Sequence, residues 1–256
     1  MRPEPVTLLP LLDVPLIEPG DDLGAILAST IVRNGASLQD DDILVVTQKI
    51  VSKAEGRYVA LRSVAPSPRA IEIAARTGKD PRYVEVVLSQ SEEIVKVGPN
   101  VVVAAHRLGF VMANAGIDES NIRHEEGDER VLLLPADPDG SARRLKDRLD
   151  AAFGVSIGVI VNDSFGRPWR NGVVGVALGA AGVPAVVDRV GAPDLFGRKL
   201  KVTEIAFADE VASAASILMG QAAEGRPVVL VQGLHWDAPA RPAAALIRPR
   251  ERDMFR

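Results

Sequence analysis

The chain lacks cysteine and has few aromatic residues. None of its 256 residues is Cys, and only 4% are Phe, Trp or Tyr. The absence of Cys excludes disulfides, thiolate zinc sites, iron–sulfur clusters and a Cys nucleophile, and it is typical of a reducing compartment. We therefore expect a cytoplasmic protein. The low aromatic content disfavours a protein that binds single-stranded nucleic acid by base stacking.

Excess positive charge and long apolar runs are also absent. The net charge of -4 at pH 7 means that no basic surface field attracts a phosphate backbone, so we expect no nucleic-acid partner. The longest uncharged stretch, residues 171–187, contains four glycines and a proline. It is too interrupted for a membrane-spanning helix of roughly 20 apolar residues. Residues 1–5 carry one Arg and two Pro and do not form a signal peptide.

Several fingerprints of known sites are missing. The sequence contains no G-x-x-x-x-G-K-[ST] and no G-x-G-x-x-G, so neither a P-loop nor a Rossmann site is indicated. Ser164 lies in Asn-Asp-Ser-Phe-Gly rather than in G-x-S-x-G, which disfavours a hydrolase triad. His106, His124 and His235 lack metal-ligand spacing, and each is predicted to be an ordinary surface or loop residue.

The chain is rich in turn-forming residues, with 22 Gly and 18 Pro, although its 47% hydrophobic and 25% charged content is that of an average globular protein. The mixed order of predicted strands and helices indicates an α+β fold, with mixed or antiparallel sheets packed against helices, rather than a doubly wound sheet. The length fits one large domain or two modest ones. We expect a single domain over residues 1–256, with a division into two subdomains as the alternative.

Hydrophobic periodicity and turn signals predict the individual elements. Strands are predicted at residues 7–12, 43–47, 155–161 and 228–232. Helices are predicted at residues 23–34, at 66–90 with interruptions at Gly78 and Pro81, at 141–153 and at 203–219. Residues 93–97, 101–106 and 110–113 are predicted to form an antiparallel meander.

The segment around Asp163 carries the best local chemical signal. An apolar strand is predicted to deliver Asp163 to its end, followed by Ser164, Arg167 and Arg170. A carboxylate and a hydroxyl suit Mg²⁺ or Mn²⁺, and nearby arginines can bind phosphate or carboxylate groups. The alternative is that Asp163 only opens a turn and that the arginines are solvated. The pattern alone favours neither interpretation.

Two other segments carry weaker signals. Asp118 follows a glycine-containing turn, and Asn121 comes three residues later. Two aspartates from separate loops can share a metal pair for phosphoryl transfer, but the pattern alone favours simple Asx turns. Lys49 and Lys53 follow a buried strand and could bind phosphate as point charges. A solvated strand end is the interpretation that the pattern alone favours there.

Four segments occur in a fixed order along the chain: VPLIEPGDD (14–22), VTQKIVSKAEGR (46–57), ANAGIDESN (113–121) and NDSFGRPWRNG (162–172). Together they resemble the coenzyme F420-0:L-glutamate ligase family. VTEIAFADEV (202–211) and LMGQ (218–221) extend the similarity, which covers the chain from about residue 8 to its tail.

The resemblance implies a ligase that adds L-glutamate to coenzyme F420-0, first through the α-amino group and then through a γ-linkage. It implies GTP as co-substrate, Mg²⁺ or Mn²⁺ as metal, and K⁺ as a further candidate cation. The implied partners are these small molecules, with no membrane involved. The implied fold is an unusual α+β ligase form in an intertwined homodimer. We expect no C-terminal nitroreductase-like domain, which some actinobacterial relatives carry.

The resemblance also assigns roles to individual positions. The implied metal ligands are Asp118, Asp163, Ser164 and Gln221. The implied GTP-site residues are Val14, Pro15, Leu16, Ile17, Gln48, Lys49, Lys53, Asn121, Met219, Gly220 and Gln221. The implied catalytic residues are Asp118, Asp163 and Lys53.

A mechanism follows as a hypothesis, because a free carboxylate does not form an amide at a useful rate in water. We expect the coenzyme carboxylate to attack the γ-phosphate of GTP, so that glutamate then displaces phosphate from an acyl phosphate. Lys49 or Lys53 would add positive charge, and Arg167 or Arg170 would bind a substrate carboxylate or phosphate. The alternatives are a glutamate ligase for another acid-bearing cofactor and a non-catalytic nucleotide-binding regulator.

Overall fold

The central element of the structure, a computed structural model that describes residues 5–123 and 129–254, is a five-stranded mixed sheet. In their order across the sheet, the strands are β1 (Thr7–Pro10), β12 (Val228–Gln232), β2 (Ile43–Thr47), β8 (Gly158–Arg167) and β9 (Arg170–Ala181). Strands β2 and β8 run parallel, and the other neighbouring pairs run antiparallel. The carboxyl end of β2 therefore lies beside the middle of β8, where Thr47 pairs with Asn162.

Helices cover both faces of this sheet. They are α1 (Leu23–Arg33), α2 (Gln48–Ala54), α5 (Pro138–Phe153) and α6 (Phe207–Met219). Successive side chains of a strand point to opposite faces, so Leu44 and Val46 pack against α1, α2 and α5. Ile43 and Val45 pack against α6 on the other face. Burial on both faces explains the continuous apolar run of β2.

A separate core lies beside this sheet. Its elements are α3 (Pro68–Thr77), α4 (Pro81–Gln90), β4 (Ser91–Gly98), β5 (Val101–His106) and β6 (Val111–Ala113), and β4, β5 and β6 form an antiparallel sheet. Two short pairs complete the strands of the described residues: β3 (Tyr58–Ala60) with β7 (Arg130–Leu132), and β10 (Val187–Asp188) with β11 (Glu204–Ile205). The architecture is α+β, as predicted.

Several predicted elements are confirmed. Strands β2 and β12 have the predicted bounds, and β4, β5 and β6 form the predicted meander. The long helical segment is divided where expected, because Gly78 ends α3 in a left-handed conformation (φ 74°) and Pro81 begins α4. Asp22 caps α1 by accepting a hydrogen bond from the backbone N–H of Ala25 at 2.9 Å.

The prediction for the region around Asp163 requires a correction. The strand expected to end at residue 161 continues to Arg167, so Asp163 and Ser164 lie inside β8 rather than in a terminal loop. The glycine-punctuated segment that follows is β9, which forms a hairpin with β8. A Cβ atom at Gly175 would collide with the carbonyl oxygen of Ala212. Glycine there permits helix packing rather than a turn.

Other boundaries also differ. Helix α5 begins at Pro138 instead of residue 141, because Asp137 caps it by accepting from the N–H of Gly140 at 2.9 Å. Helix α6 begins at Phe207 instead of residue 203, because Glu204–Ile205 is paired in β11. The segment after β2, for which no helix was predicted, forms α2.

The histidine predictions have mixed outcomes. His235 is an exposed loop residue, as expected, and His124 lies outside the described residues. The prediction for His106 is wrong, because this side chain is 4% exposed at the end of β5, and burial lowers its pKa to about 4. Over residues 5–123 and 129–254, no helix has the length and apolar character needed to cross a membrane.

Candidate active site

A cavity of about 580 Å³ opens beyond the carboxyl end of β2, beside the middle of β8. Thr47, the last residue of β2, pairs with Asn162 of β8, so the first residues of α2 lie near the residues that follow Asn162 within β8. The segment 220–227, which leads into β12, returns to the same place, where the Thr47 N–H donates to the Pro227 carbonyl oxygen at 2.9 Å. Met219, at the end of α6, also lines the cavity. Its volume is in the range of small-molecule sites.

The cavity gathers the site residues that the sequence analysis singled out. Its lining includes Val14, Pro15, Leu16, Ile17, Gln48, Lys49, Lys53, Asp118, Asn121, Asp163, Ser164, Met219, Gly220 and Gln221. Arg167 and Arg170 do not line it, because they pair with each other at the far end of the β8–β9 hairpin. The fold thus brings together positions that are about 200 residues apart in sequence.

Asp118 is held from two directions. Its backbone N–H and carbonyl groups pair with those of Leu132 in β7, both at 2.9 Å. Its carboxylate faces the first turn of α2, where Lys49 Nζ lies 3.1 Å from Oδ1 and Gln48 Nε2 donates to Oδ2 at 2.5 Å. The orientation of this carboxylate is therefore defined by the protein itself.

Asp163 lies close enough to Asp118 for the two charges to interact. Burial, and to a smaller extent the negative charge of Asp118, raise the pKa of Asp163 to about 7. The Ser164 N–H and the Lys49 ammonium act in the opposite direction. A carboxylate pair whose ionisation is opposed in this way is favourable for a cation that would offset the repulsion.

The two lysines of α2 are directed toward the loop after Asp118. Lys49 Nζ donates to the carbonyl oxygen of Ser120 at 3.1 Å, and Lys53 Nζ donates to that of Asn121 at 2.8 Å. Burial, followed by the charge of Lys49, lowers the pKa of Lys53. The Asn121 side chain donates to the carbonyl oxygen of Ala222 at 3.0 Å, which ties two loops of the cavity wall together.

Sequence reasoning missed part of the lining, namely Glu18, Tyr58, Arg123, Asn162, Ser216, Glu224 and Arg226. Asn162 is 4% exposed, its Nδ2 lies 3.4 Å from Met219 Sδ, and its Oδ1 has no hydrogen-bond partner among the described residues. The signal that could have found Asn162 is its position directly before Asp163. Arg123 follows Asn121 by two residues, and Arg226 lies two residues before the start of β12.

The oxygen ligands in the cavity suit a hard divalent cation. No group of three or more His, Cys, Asp or Glu residues that could hold a metal ion occurs in the part of the chain that the structure describes. The two aspartates are instead accompanied by the Ser164 hydroxyl and the Gln221 amide. The Gln221 Nε2 donates to Ser216 Oγ at 3.1 Å, so its carbonyl oxygen is the atom suited to a cation. Mg²⁺ typically combines a few such ligands with water and substrate phosphates.

Comparisons with known proteins point to one family. The family model described as F420-0:Gamma-glutamyl ligase matches residues 12–233. The chain is 46% identical over 256 residues to the coenzyme F420:L-glutamate ligase of Methanothermobacter thermautotrophicus, covering 98% of this chain and 99% of that protein. It is 49% identical over 245 residues to the protein of that name from Methanopyrus kandleri, covering 94% of this chain and 93% of that protein. It is 46% identical over 230 residues to the protein of the same name from Archaeoglobus fulgidus, covering 90% of this chain and 88% of that protein.

Proposed function

Because the chain belongs to the F420-0:gamma-glutamyl ligase family, and is thus a ligase that forms carbon–nitrogen bonds, we propose that it adds L-glutamate to coenzyme F420-0 at the cost of GTP. The first glutamate would be joined through its α-amino group and the next through a γ-linkage. The observation that carries the proposal is the meeting of both aspartates, both lysines and residues 14–17 in one cavity.

The reaction needs activation of a carboxylate. A carboxylate oxygen of the coenzyme attacks the γ-phosphorus of GTP, and the bond between that phosphorus and the β–γ bridging oxygen breaks to release GDP. The amine of glutamate then attacks the carbonyl carbon of the acyl phosphate. Phosphate leaves with the former carboxylate oxygen, and the amine loses its proton as the amide forms. The cavity must therefore hold a triphosphate, a carboxylate and an amine together.

The residues present fit a divalent metal. Asp118, Asp163, Ser164 and Gln221 would hold Mg²⁺ or Mn²⁺, because all four offer oxygen and the two carboxylates repel each other without a cation. A bound metal would supply positive charge at the phosphate oxygens. K⁺ stays a candidate for a further cation.

Other lining residues would bind GTP and offset the negative charge of its phosphates. Lys49 and Lys53 would place ammonium groups near the phosphates, and Lys53 would stabilise the charge that develops during transfer. The apolar segment 14–17, in which Leu16 is 75% exposed, offers a surface to the nucleotide. Asn121 would complete this part of the site. Met219 and Gly220 would close it.

The acidic substrates also need cations beyond the two lysines. Arg123 and Arg226 line the same cavity and are both exposed. We assign them to the carboxylate and phosphate groups of the coenzyme and of glutamate, because guanidinium groups bind these anions in a bidentate manner. Local positive charge of this kind would offset the net charge of -4.

Mass spectrometry of the product tests the proposal. The protein is incubated with coenzyme F420-0, L-glutamate, GTP and Mn²⁺, and the coenzyme is expected to gain the mass of whole glutamate residues while GDP and phosphate accumulate. Omission of GTP or of metal should abolish the gain. The Asp163→Ala variant should lose activity while its circular dichroism spectrum is unchanged.

Other outcomes would contradict the proposal. An active Asp163→Ala enzyme would rule out the metal assignment. Glutamate addition to another acid-bearing cofactor, without addition to coenzyme F420-0, would identify the related ligase. Binding of GTP without turnover in the presence of all substrates would identify the nucleotide-binding regulator.

A further inference from the structure

Gln48 occupies an unusual position between the core and the cavity. It is the first residue of α2 and follows directly on β2. Its side chain is 1% exposed, although the residue belongs to the cavity wall. The family resemblance predicts a contact between Gln48 and the nucleotide, but the contacts that the side chain makes within the protein indicate another role.

Both ends of the Gln48 amide are engaged. Its Nε2 donates to Asp118 Oδ2 at 2.5 Å, across 70 residues of sequence. Its Oε1 accepts a hydrogen bond from Ser52 Oγ at 2.9 Å, one helical turn later on α2. Because the Asp118 carboxylate only accepts hydrogen bonds, the nitrogen of the amide must point toward Asp118, and the oxygen is left to accept from Ser52.

Ser52 is a fixed donor in this arrangement. It is 0% exposed, so water does not compete for its hydroxyl. Three side chains thus form a chain of hydrogen bonds, from Ser52 through Gln48 to Asp118, that ends in the cavity. Lys49 Nζ lies 3.1 Å from the other oxygen of the same carboxylate. The Asp118 carboxylate is held at both oxygens and keeps its remaining lone pairs for a ligand.

We propose that Gln48 is a positioning residue, which holds the Asp118 carboxylate in the orientation that binds the divalent cation, and that Ser52 fixes the Gln48 amide for this purpose. The inference rests on the proposed function, in which Asp118 is a metal ligand. Hydrogen-bond partners of metal ligands orient them, and removal of such a partner typically costs about 10–100-fold in metal affinity.

The two possible roles of Gln48 predict different losses. A residue that contacts the nucleotide would affect the KM for GTP and leave the affinity for Mn²⁺ alone unchanged. A residue that acts through Asp118 would weaken Mn²⁺ binding even when no nucleotide is present. Binding of Mn²⁺ to the nucleotide-free protein therefore separates the roles without relying on turnover.

The chain offers a matched control in Gln232, at the end of β12. Its Nε2 donates to Asp42 Oδ2 at 2.8 Å, which is the same chemical pairing as that of Gln48 with Asp118. Asp42 immediately precedes β2, so this second pair lies at the amino end of the strand, whereas the cavity lies at its carboxyl end. Gln232→Met removes a comparable hydrogen bond at a place where no metal is proposed.

The experiment is a Mn²⁺ titration of the nucleotide-free full chain, in which electron paramagnetic resonance measures free Mn²⁺. Gln48→Met keeps most of the side-chain volume, removes the amide and should weaken Mn²⁺ binding about 10–100-fold. Ser52→Ala should also weaken Mn²⁺ binding, by a smaller factor. Gln232→Met should bind Mn²⁺ as the wild type does. At saturating Mn²⁺, the KM for GTP of Gln48→Met should stay within about threefold of wild type.

Unchanged Mn²⁺ affinity in Gln48→Met and Ser52→Ala would overturn the inference, as would a large rise in the KM for GTP of Gln48→Met at unchanged Mn²⁺ affinity. If Gln48→Met does not fold, Ser52→Ala alone decides by the same criterion. Failure of the metal assignment within the proposed function is recognised separately, because the wild type itself would then bind no Mn²⁺, which would also contradict the inference.

Discussion

At the scale of single residues, Asp163 shows how the surroundings alter one carboxyl group. Burial and the neighbouring charge of Asp118 raise its pKa from 3.8 to about 7. The sequence predicted that Asp163 carries chemistry, but not this property, because its neighbour comes from a loop 45 residues earlier. The same limit applies to Gln48, whose partner Asp118 is remote in sequence.

The raised pKa of Asp163 makes the stability of the metal-free protein depend on pH. Between about pH 4 and pH 7 the unfolded chain has lost the proton that the folded chain still binds, so the free energy of unfolding falls as the pH rises through this range. Asp163→Asn cannot ionise. It should therefore raise the free energy of unfolding at pH 8, and raise it less at pH 5.

Urea denaturation of the metal-free wild type and of Asp163→Asn at the two pH values measures this effect. Asp188→Asn, on the exposed end of β10, serves as a control for the loss of one carboxylate. An equal difference between wild type and Asp163→Asn at pH 5 and pH 8 would contradict the environment described for Asp163.

At the scale of elements, the sequence predicted strands in which four of five residues are buried, and it missed structure that depends on packing partners. The apolar runs of β2 and β12 identify these strands unambiguously. The second half of β8 is polar and resembles a loop, and only its pairing with β9 makes it a strand. Helix α2 has only 7 residues and follows β2 without an intervening turn, so no break in the sequence separates it from the strand.

The glycines of β9 allow helices to approach the strand closely. A Cβ atom at Gly179 would collide with the backbone of Pro138 at the start of α5. We expect Gly179→Ala to lower the free energy of unfolding by about 1–3 kcal/mol, because backbone atoms must shift to accommodate the methyl group. Gly166→Ala, in the same hairpin with no atom within 4 Å of the new Cβ, should be close to neutral.

Urea denaturation of both glycine variants tests this account of the hairpin. Equal stabilities for Gly179→Ala and Gly166→Ala would contradict the packing role given to the glycines of β9. A loss confined to Gly179→Ala would support it.

At the scale of the whole molecule, the cavity is assembled from segments that the sequence analysis found separately. The positions to which the family resemblance assigns roles all line one cavity, and their roles stay predictions. The sequence could not give their hydrogen bonds, because these depend on how β2 pairs with β8 and β12 in the central sheet. Arg123 and Arg226 were missed for the same reason.

The oligomeric state is a further prediction at this scale. We propose that the protein is a homodimer in solution, and the exposed apolar side chains of Leu195 and Phe196, 99% and 92% accessible, support a surface that another copy covers. Light scattering coupled to size exclusion should give twice the chain mass of 27.2 kDa. A mass of one chain at micromolar concentration would contradict the dimer.

The central claim is that a substrate carboxylate is activated in this cavity by phosphoryl transfer from GTP. Coenzyme F420-0 with ¹⁸O at both oxygens of its terminal carboxylate is incubated with the protein, GTP, Mn²⁺ and L-glutamate, and the released phosphate is analysed by mass spectrometry. The account predicts one ¹⁸O atom in the phosphate released with the first amide, because the carboxylate oxygen that attacks phosphorus leaves with it. The γ-linked second amide is formed from the unlabelled carboxylate of the first glutamate, so its phosphate carries no label. A first amide formed with unlabelled phosphate would contradict the acyl phosphate and the role given to the site.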